Sequence, residues 1–135
     1  MKNRKKLSII TFLAVSIFSI SAVSFAESPI TVEGEFQGAN CIFFLKKCPA
    51  NMPDAHIATE PDFVLVKNSN TYYYVTNLDR AIKAKYIHKP ARVIGKKRNQ
   101  SIVAESLEIK IDDKFKQVWN LKDEKAEKEK AAVDW

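Results

Sequence analysis

The chain has 135 residues, with 22 basic and 16 acidic side chains and a formal net charge of +6 at pH 7. It contains only three glycines and five prolines, which excludes a collagen-like chain and a disordered chain rich in Pro and Gly. This length suits one small domain with a single hydrophobic core.

Residues 1–26 have the layout of a secretory signal peptide. Four basic residues lie within the first six positions, an apolar run follows over residues 7–20, and Ser24 and Ala26 place small side chains at positions −3 and −1 of a cleavage site. The apolar run is shorter than the roughly 20 residues that a spanning helix needs. We therefore predict cleavage near Ala26 and a periplasmic or secreted mature chain without a transmembrane segment.

Cleavage changes what the charge implies. It would remove four basic residues and no acidic residue, which leaves 18 basic and 16 acidic side chains and a net charge of +2. The basic character of the full chain therefore belongs partly to the leader. We expect no nucleic-acid partner, because the mature chain lacks the strongly basic balance of such proteins.

The next feature along the chain is a strand over residues 31–37, in which Val32, Gly34 and Phe36 share one face. A glycine inside a strand indicates a bulge or a sharp bend. The Pro-rich stretch 49–61 comes later, and its length requires a short helix or a disulfide to organise it.

Cys41 and Cys48 follow the first strand and are the only cysteines of the chain. In an oxidising compartment paired cysteines usually form a disulfide. A bridge that closes a loop of about 8 residues should stabilise the fold by roughly 2.5 kcal/mol. We predict a Cys41–Cys48 bridge that pins this loop.

A metal site is the alternative interpretation. Cys41, Cys48 and His56 could bind zinc or copper, with Met52 as a further thioether ligand. Two thiolates and an imidazole suit Cu(I), which prefers soft ligands. The gap of six residues between the cysteines is wider than the two to four of common zinc sites, and it does not match the C-x-x-C of thioredoxin-like redox proteins.

A β-hairpin and a helix come next. Residues 62–67 and 71–75 are rich in β-branched and aromatic side chains and flank the polar turn 68–70, which predicts a hairpin. Residues 77–86 change to helical spacing, with Asn77 as the predicted N-cap.

The remaining segments predict strands at 91–97, 101–111 and 115–119, with a bulge near residues 104–106. The tail 120–135 reads as a charged helix, capped by Asn120 and supported by the Glu124/Lys128 pair.

Three strands, a helix and two strands is the order of the OB-fold. We therefore predict a mainly β protein, with an OB-like barrel of five to six strands over residues 27–119 and a helical tail over 120–135. The stretches VEGEFQGANC (32–41) and ARVIGK (91–96) resemble small secreted bacterial proteins with an OB-like barrel and a Cys-containing loop after the first strand. Those proteins are mostly of unassigned function, so the resemblance implies an envelope location and a barrel.

The chain contains no G-x-S-x-G, H-E-x-x-H or P-loop motif, and we predict that it is not an enzyme and needs no cofactor. OB-folds bind oligomers across strands two and three, where Tyr72 and Tyr74 share one face and could stack on sugars or bases. Cross-strand packing is their alternative role.

A local excess of basic residues adds a second predicted contact surface. Its members lie on the predicted helix and the fourth strand: Arg80, Lys83, Lys85, Arg92, Lys96, Lys97 and Arg98. Such a cluster suits anionic envelope polymers or phosphate headgroups. The first functional hypothesis is thus an exported, non-catalytic binding or accessory protein. Its partner would be an unidentified envelope protein or polymer, met by Tyr72, Tyr74, Arg80, Arg92 and Lys96. The second hypothesis is an envelope metal-binding protein.

Overall fold

The computed structural model describes residues 28–45, 48, 49, 51 and 53–133. The predicted leader, Met52 and the last two residues lie outside them. The described elements are β1 (Ile30–Gly38), a π-helical turn (Cys41–Leu45), α1 (Asp54–Thr59), β2 (Phe63–Asn68), β3 (Thr71–Val75), α2 (Arg80–Lys85), β4 (Pro90–Arg98), β5 (Ser101–Ile111), β6 (Lys114–Asn120) and α3 (Leu121–Val133).

Five of the strands close into a barrel. The strands lie in the order β3-β2-β1-β4-β5-β6, and β3 also pairs in parallel with β5 through Tyr74 with Ser101 and Val75 with Ile102. That pairing closes the ring, while β6 extends β5 outside it. The prediction of a mainly β, OB-like barrel is confirmed, with α2 between the third and fourth strands and α3 at the C-terminus.

The first strand changes its pairing partner along its length. It pairs with β4 over Ile30–Glu35 and with β2 over Glu35–Gly38. Gly34 stands next to this change, and a Cβ atom there would collide with the carbonyl oxygen of Val66. The close approach of β2 therefore accounts for the glycine, because a side chain at this position would not fit. The predicted bend at Gly34 stays a prediction.

A bulge lies in β5, as predicted. Ile94 pairs with Ser106 and the next residue of β4, Gly95, pairs with Ala104, so Glu105 is the extra residue. Bulges of this kind increase local twist and help a small sheet to curve into a barrel.

The barrel interior is apolar. Each of the five barrel strands contributes to it through inward-facing side chains, as period-2 patterning requires. Its fully buried large side chains are Phe36, Phe63, Leu65, Val75, Val93, Ile102, Leu107 and Ile109.

The predicted cap of the middle helix is wrong. Asp79, not Asn77, caps α2, and its side chain accepts a hydrogen bond from the backbone N–H of Ala81. The Asn77 side chain instead bonds both the N–H and the carbonyl of Ala104, each at 2.7 Å. Asn77 is thus used to fasten the end of β3 to the bulged part of β5.

The C-terminal helix follows the prediction. The Asn120 side chain accepts a hydrogen bond from the N–H of Lys122, and Lys128 pairs with Glu124 at 2.6 Å. Among the described residues, no helix combines the length and the apolar character that crossing a membrane would require.

Candidate metal centre

One guanidinium holds the segment between β1 and β2 on the barrel. Arg80, the first residue of α2, donates hydrogen bonds to the carbonyls of Ile57, Ala58 and Glu60 at 2.8 to 3.2 Å and lies over the Phe63 ring. These carbonyls end α1, where helical backbone acceptors lack partners in the helix. The placement of α1 therefore depends on a residue from the next part of the fold.

Both cysteines are buried beside this segment. Cys41 opens the π-helical turn, and the two thiols pack against Ile57 and Ile87. The N–H of Gly38 donates to Cys48 Sγ at 3.1 Å, and the N–H of Cys48 donates to Gln37 Oε1 at 3.1 Å. The far end of β1 thus positions Cys48 through backbone and side-chain hydrogen bonds.

The predicted Cys41–Cys48 bridge is not formed in the structure. The two thiols are close together, but they are free and not at disulfide distance. Each sulfur has other neighbours: Cys48 Sγ faces the backbone of Gly38, and Cys41 lies beside Glu60 as well as Cys48. The structure therefore presents a buried dithiol where the spacing predicted a bridge.

Three ligand-type side chains meet at Cys41. Its sulfur, a ring nitrogen of His56 and a carboxylate oxygen of Glu60 all lie within 4.8 Å of one another. Cys48 neighbours Cys41 but is not one of these three. The structure thus brings together two of the predicted ligands, Cys41 and His56, adds Glu60, and places Cys48 beside Cys41.

Glu60 is the unusual member of the group, because its side chain is charged and only 3% exposed. One carboxylate oxygen accepts a hydrogen bond from the N–H of Asn40 at 2.9 Å. The other oxygen, Oε1, is buried and has no hydrogen-bond partner among the described residues. Buried polar atoms are normally paired, so an unpaired one indicates a missing partner or a functional role.

Gly38 makes room for this carboxylate. A Cβ atom at that position would stand 2.5 Å from the Glu60 carboxyl carbon. Any side chain at position 38 would therefore push the carboxylate away from the thiols. The glycine at the end of β1 is part of the construction of the site.

The surroundings of Cys41 keep its thiol protonated at neutral pH. Burial, then Cys48 and Glu60, raise the pKa of Cys41 from its ordinary 9.0 to about 12. Each neighbour is itself neutral or negative, so a thiolate would be poorly solvated there. A cation placed among these groups would reverse that effect, since metal ligands bind as thiolates.

The donor set fits a borderline or soft metal ion. Zinc takes thiolate, imidazole and carboxylate ligands together in tetrahedral sites, with ligand atoms about 3.3 to 3.8 Å apart for the usual bond lengths. The spread of up to 4.8 Å found here requires the ligands to close by about 1 Å. His56 is exposed, so its imidazole is the ligand with the most freedom to move toward a bound ion.

The predicted tyrosine face exists on the outside of β3. Tyr72 and Tyr74 are half-buried and meet edge to face, with ring centres 5.9 Å apart. Phe43 continues this row, 5.8 Å from Tyr72. Burial, then Tyr72 and Asp62, raise the pKa of Tyr74. Whether these rings contact a ligand stays a prediction.

The predicted basic residues are largely occupied by partners within the protein. Arg80 holds α1, and Lys83 is buried in an ion pair with Asp62. Arg92 pairs with Glu33 at 2.8 Å and Glu108 at 3.2 Å and stacks on Phe115. The hydrogen bonds that Arg92 donates to the Glu33 carboxylate are the main reason that the pKa of Arg92 is raised.

Lys96 remains an exposed residue of β4. The structure therefore gives Arg80 and Arg92 contacts within the protein, and a contact of the five residues with a partner stays a prediction.

Sequence reasoning missed Glu60, although a signal was present. Glu60 follows His56 by four residues, at the end of α1, and that spacing places two side chains on one face of a helix. The neighbouring Pro61 and the Pro-rich surroundings hid this pattern, because they left open whether a short helix or a disulfide organises the stretch.

No protein-family model, curated protein sequence or solved structure matches this chain.

Proposed function

We propose that the chain is an exported metal-binding protein that holds a zinc ion with Cys41, Cys48, His56 and Glu60. One observation carries the proposal: the buried Glu60 carboxylate, one oxygen of which lacks a hydrogen-bond partner among the described residues, lies within 4.8 Å of the Cys41 sulfur and a His56 ring nitrogen. An unpaired buried carboxylate is costly, and a bound cation removes that cost.

Of zinc and copper, the two metals considered for this site, Glu60 favours zinc. Copper(I) favours thiolate and thioether ligands, whereas zinc also accepts carboxylate oxygen. A carboxylate beside two thiols and an imidazole therefore supports zinc over Cu(I). Cys41 and Cys48 release protons on binding, since both must act as thiolates. His56 would bind as neutral imidazole.

The second candidate is the non-catalytic binding or accessory protein, with Cys41 and Cys48 joined in a structural bridge. The closeness of two buried thiols supports it, because an oxidising compartment favours the disulfide. In that protein the row of Tyr72 and Tyr74 would form the contact surface. The two candidates exclude each other at the sulfur atoms, since a bridged pair offers no thiolates.

The deciding experiment is the intact mass of the protein recovered from the cells that make it, measured under native conditions and after denaturation, with and without reduction before thiol alkylation. The zinc proposal predicts one zinc ion in the native mass and two alkyl groups without reduction. Two alkyl groups only after reduction, with no metal mass, would establish the bridge and reject the zinc site.

Variants then test the ligand set by competition with a chromophoric zinc chelator under reducing conditions. Cys41→Ser should weaken zinc binding by more than about 100-fold, since changes outside the ligand shell alone cost about 10–100-fold. Glu60→Gln should weaken it by about 10-fold or more. Glu105→Gln is the matched control, because Glu105 is exposed on β5 and its loss should leave the affinity unchanged.

A further inference from the structure

Next to the metal site, the π-helical turn ends in an exposed apolar tip, formed by Phe43, Phe44 and Leu45. Their side chains are 54%, 81% and 62% exposed. The other large hydrophobic side chains exposed in the described part of the chain, Val103 and Ile111, reach only 37% and 38%. Isolated exposed apolar residues are ordinary, but a contiguous group indicates a contact surface.

The tip projects from the protein and is not a groove. Its three residues are consecutive on one helical turn, so their side chains point in different directions around it. The base is fixed, because Cys41 is buried at the start of the turn and Phe43 packs edge to face on Tyr72. A short exposed turn whose side chains point in several directions suits insertion into a fluid interface better than packing along a partner helix or strand.

Amphipathic rings surround one side of the tip. Tyr72 and Tyr74 lie half-buried on β3, with Tyr72 in contact with Phe43. Tyrosine has an apolar ring and a polar hydroxyl, and such residues favour the boundary between hydrocarbon and water. From the tip toward the barrel, the side chains thus change from apolar to amphipathic, which matches the polarity change across a lipid interface.

The sequence adds charge of the matching sign. Lys46 and Lys47 directly follow Leu45. Lysines beside an apolar anchor favour anionic headgroups, each by an amount equivalent to about a fivefold increase in binding. A hydrophobic anchor combined with two cations is the pattern of reversible attachment to an anionic bilayer.

We propose that the tip of Phe43, Phe44 and Leu45 inserts into the interface of a bilayer that contains anionic lipids, and so holds the metal centre at a membrane surface. This attachment is independent of metal binding, because none of the three residues is a proposed ligand.

The test is flotation of the purified protein with vesicles of phosphatidylcholine, alone or mixed with phosphatidylglycerol. The N-terminus is first established by intact mass, since an uncleaved apolar leader would itself bind lipid. Wild type should float with the mixed vesicles and more weakly with phosphatidylcholine alone. Phe44→Ser should lower partitioning by about tenfold or more, because one buried Phe is lost. The double variant Lys46→Gln/Lys47→Gln should lower partitioning to a similar degree on the mixed vesicles, but not on vesicles of phosphatidylcholine alone.

Ile111→Ser is the matched control, since Ile111 is an exposed apolar residue at the end of β5. The partitioning of this variant should stay within about twofold of wild type. Thermal unfolding of each variant confirms an intact fold. Equal flotation of wild type and Phe44→Ser would overturn the proposal. The proposal would also be overturned if wild type did not float and instead formed a dimer, seen in sedimentation velocity, that Phe44→Ser abolishes. The tip would then bind a second copy of the chain.

Discussion

The barrel interior and the buried part of the candidate metal centre, formed by Cys41, Cys48 and Glu60, have similarly low exposure, yet they differ in how burial affects stability. The interior contains apolar side chains such as Phe63, Leu65 and Leu107, whose burial itself supplies the stabilisation. The candidate metal centre contains, beside two thiols, the carboxylate of Glu60, whose burial with an unpaired oxygen is unfavourable. The comparison indicates that the first region maintains the fold and that the second is maintained by it.

The largest expected effect tests the interior. Leu107→Ala removes a fully buried side chain opposite Val93 and Trp119 and should lower the free energy of unfolding by about 2–5 kcal/mol. Urea unfolding measures the loss. Zinc affinity of the folded variant should stay within about twofold, since distant sites act independently. A large loss of affinity would show that the two regions are not separate.

Glu60→Gln tests the opposite expectation at the metal centre. The variant keeps an oxygen acceptor for Asn40 and removes the buried charge, so the metal-free protein should gain about 1–3 kcal/mol in unfolding free energy. Urea unfolding with a chelator present measures the gain, and Glu105→Gln serves as control. A loss of stability in the metal-free state would contradict the interpretation that Glu60 is retained for ligand binding.

The raised pKa of Cys41 predicts how stability depends on pH. Folding raises the pKa of the Cys41 thiol from 9.0 to about 12. The metal-free reduced protein should therefore keep its full stability below pH 9. It should lose stability as pH rises through this interval, by up to about 1.4 kcal/mol per pH unit. Unfolding curves at pH 8, 9 and 10 measure the slope. Cys41→Ser should flatten it, and an unchanged slope would assign the effect to another group.

The smallest expected effect comes from the surface and sets the scale for the others. Lys128→Ala breaks the exposed pair with Glu124 on α3 and should change the unfolding free energy by about 0.5 kcal/mol or less. The same urea measurement applies. A change as large as that of Leu107→Ala would mean that α3 contributes to the barrel core.

The sequence predicted the barrel well because its information is local. Alternation, the 68–70 turn and Gly34 all report on neighbouring residues, and the bulge at Glu105 appears as a break in alternation. The cap of α2 failed because Asn77 and Asp79 are both good caps, and the choice depends on Ala104, which lies across the sheet.

The metal centre was predictable only in part. Cys41, Cys48 and His56 are recognisable by residue type. Glu60 is not, because its burial depends on the close approach of Gly38 from β1. Arg80 was predicted as a surface residue for the same reason, since its carbonyl partners lie about 20 residues earlier in the chain.

The hydrogen bonds from Arg80 to the end of α1 have a consequence for the order of assembly. A chain is made from its N-terminus, so all four proposed ligands are present before Arg80, which lies 20 residues beyond Glu60. Until β3 and α2 have formed, α1 lacks the guanidinium that fixes its last turn. We therefore expect the ligand cluster to gain its final geometry late, so that a chain truncated before residue 80 would contain every ligand and still lack a preformed site.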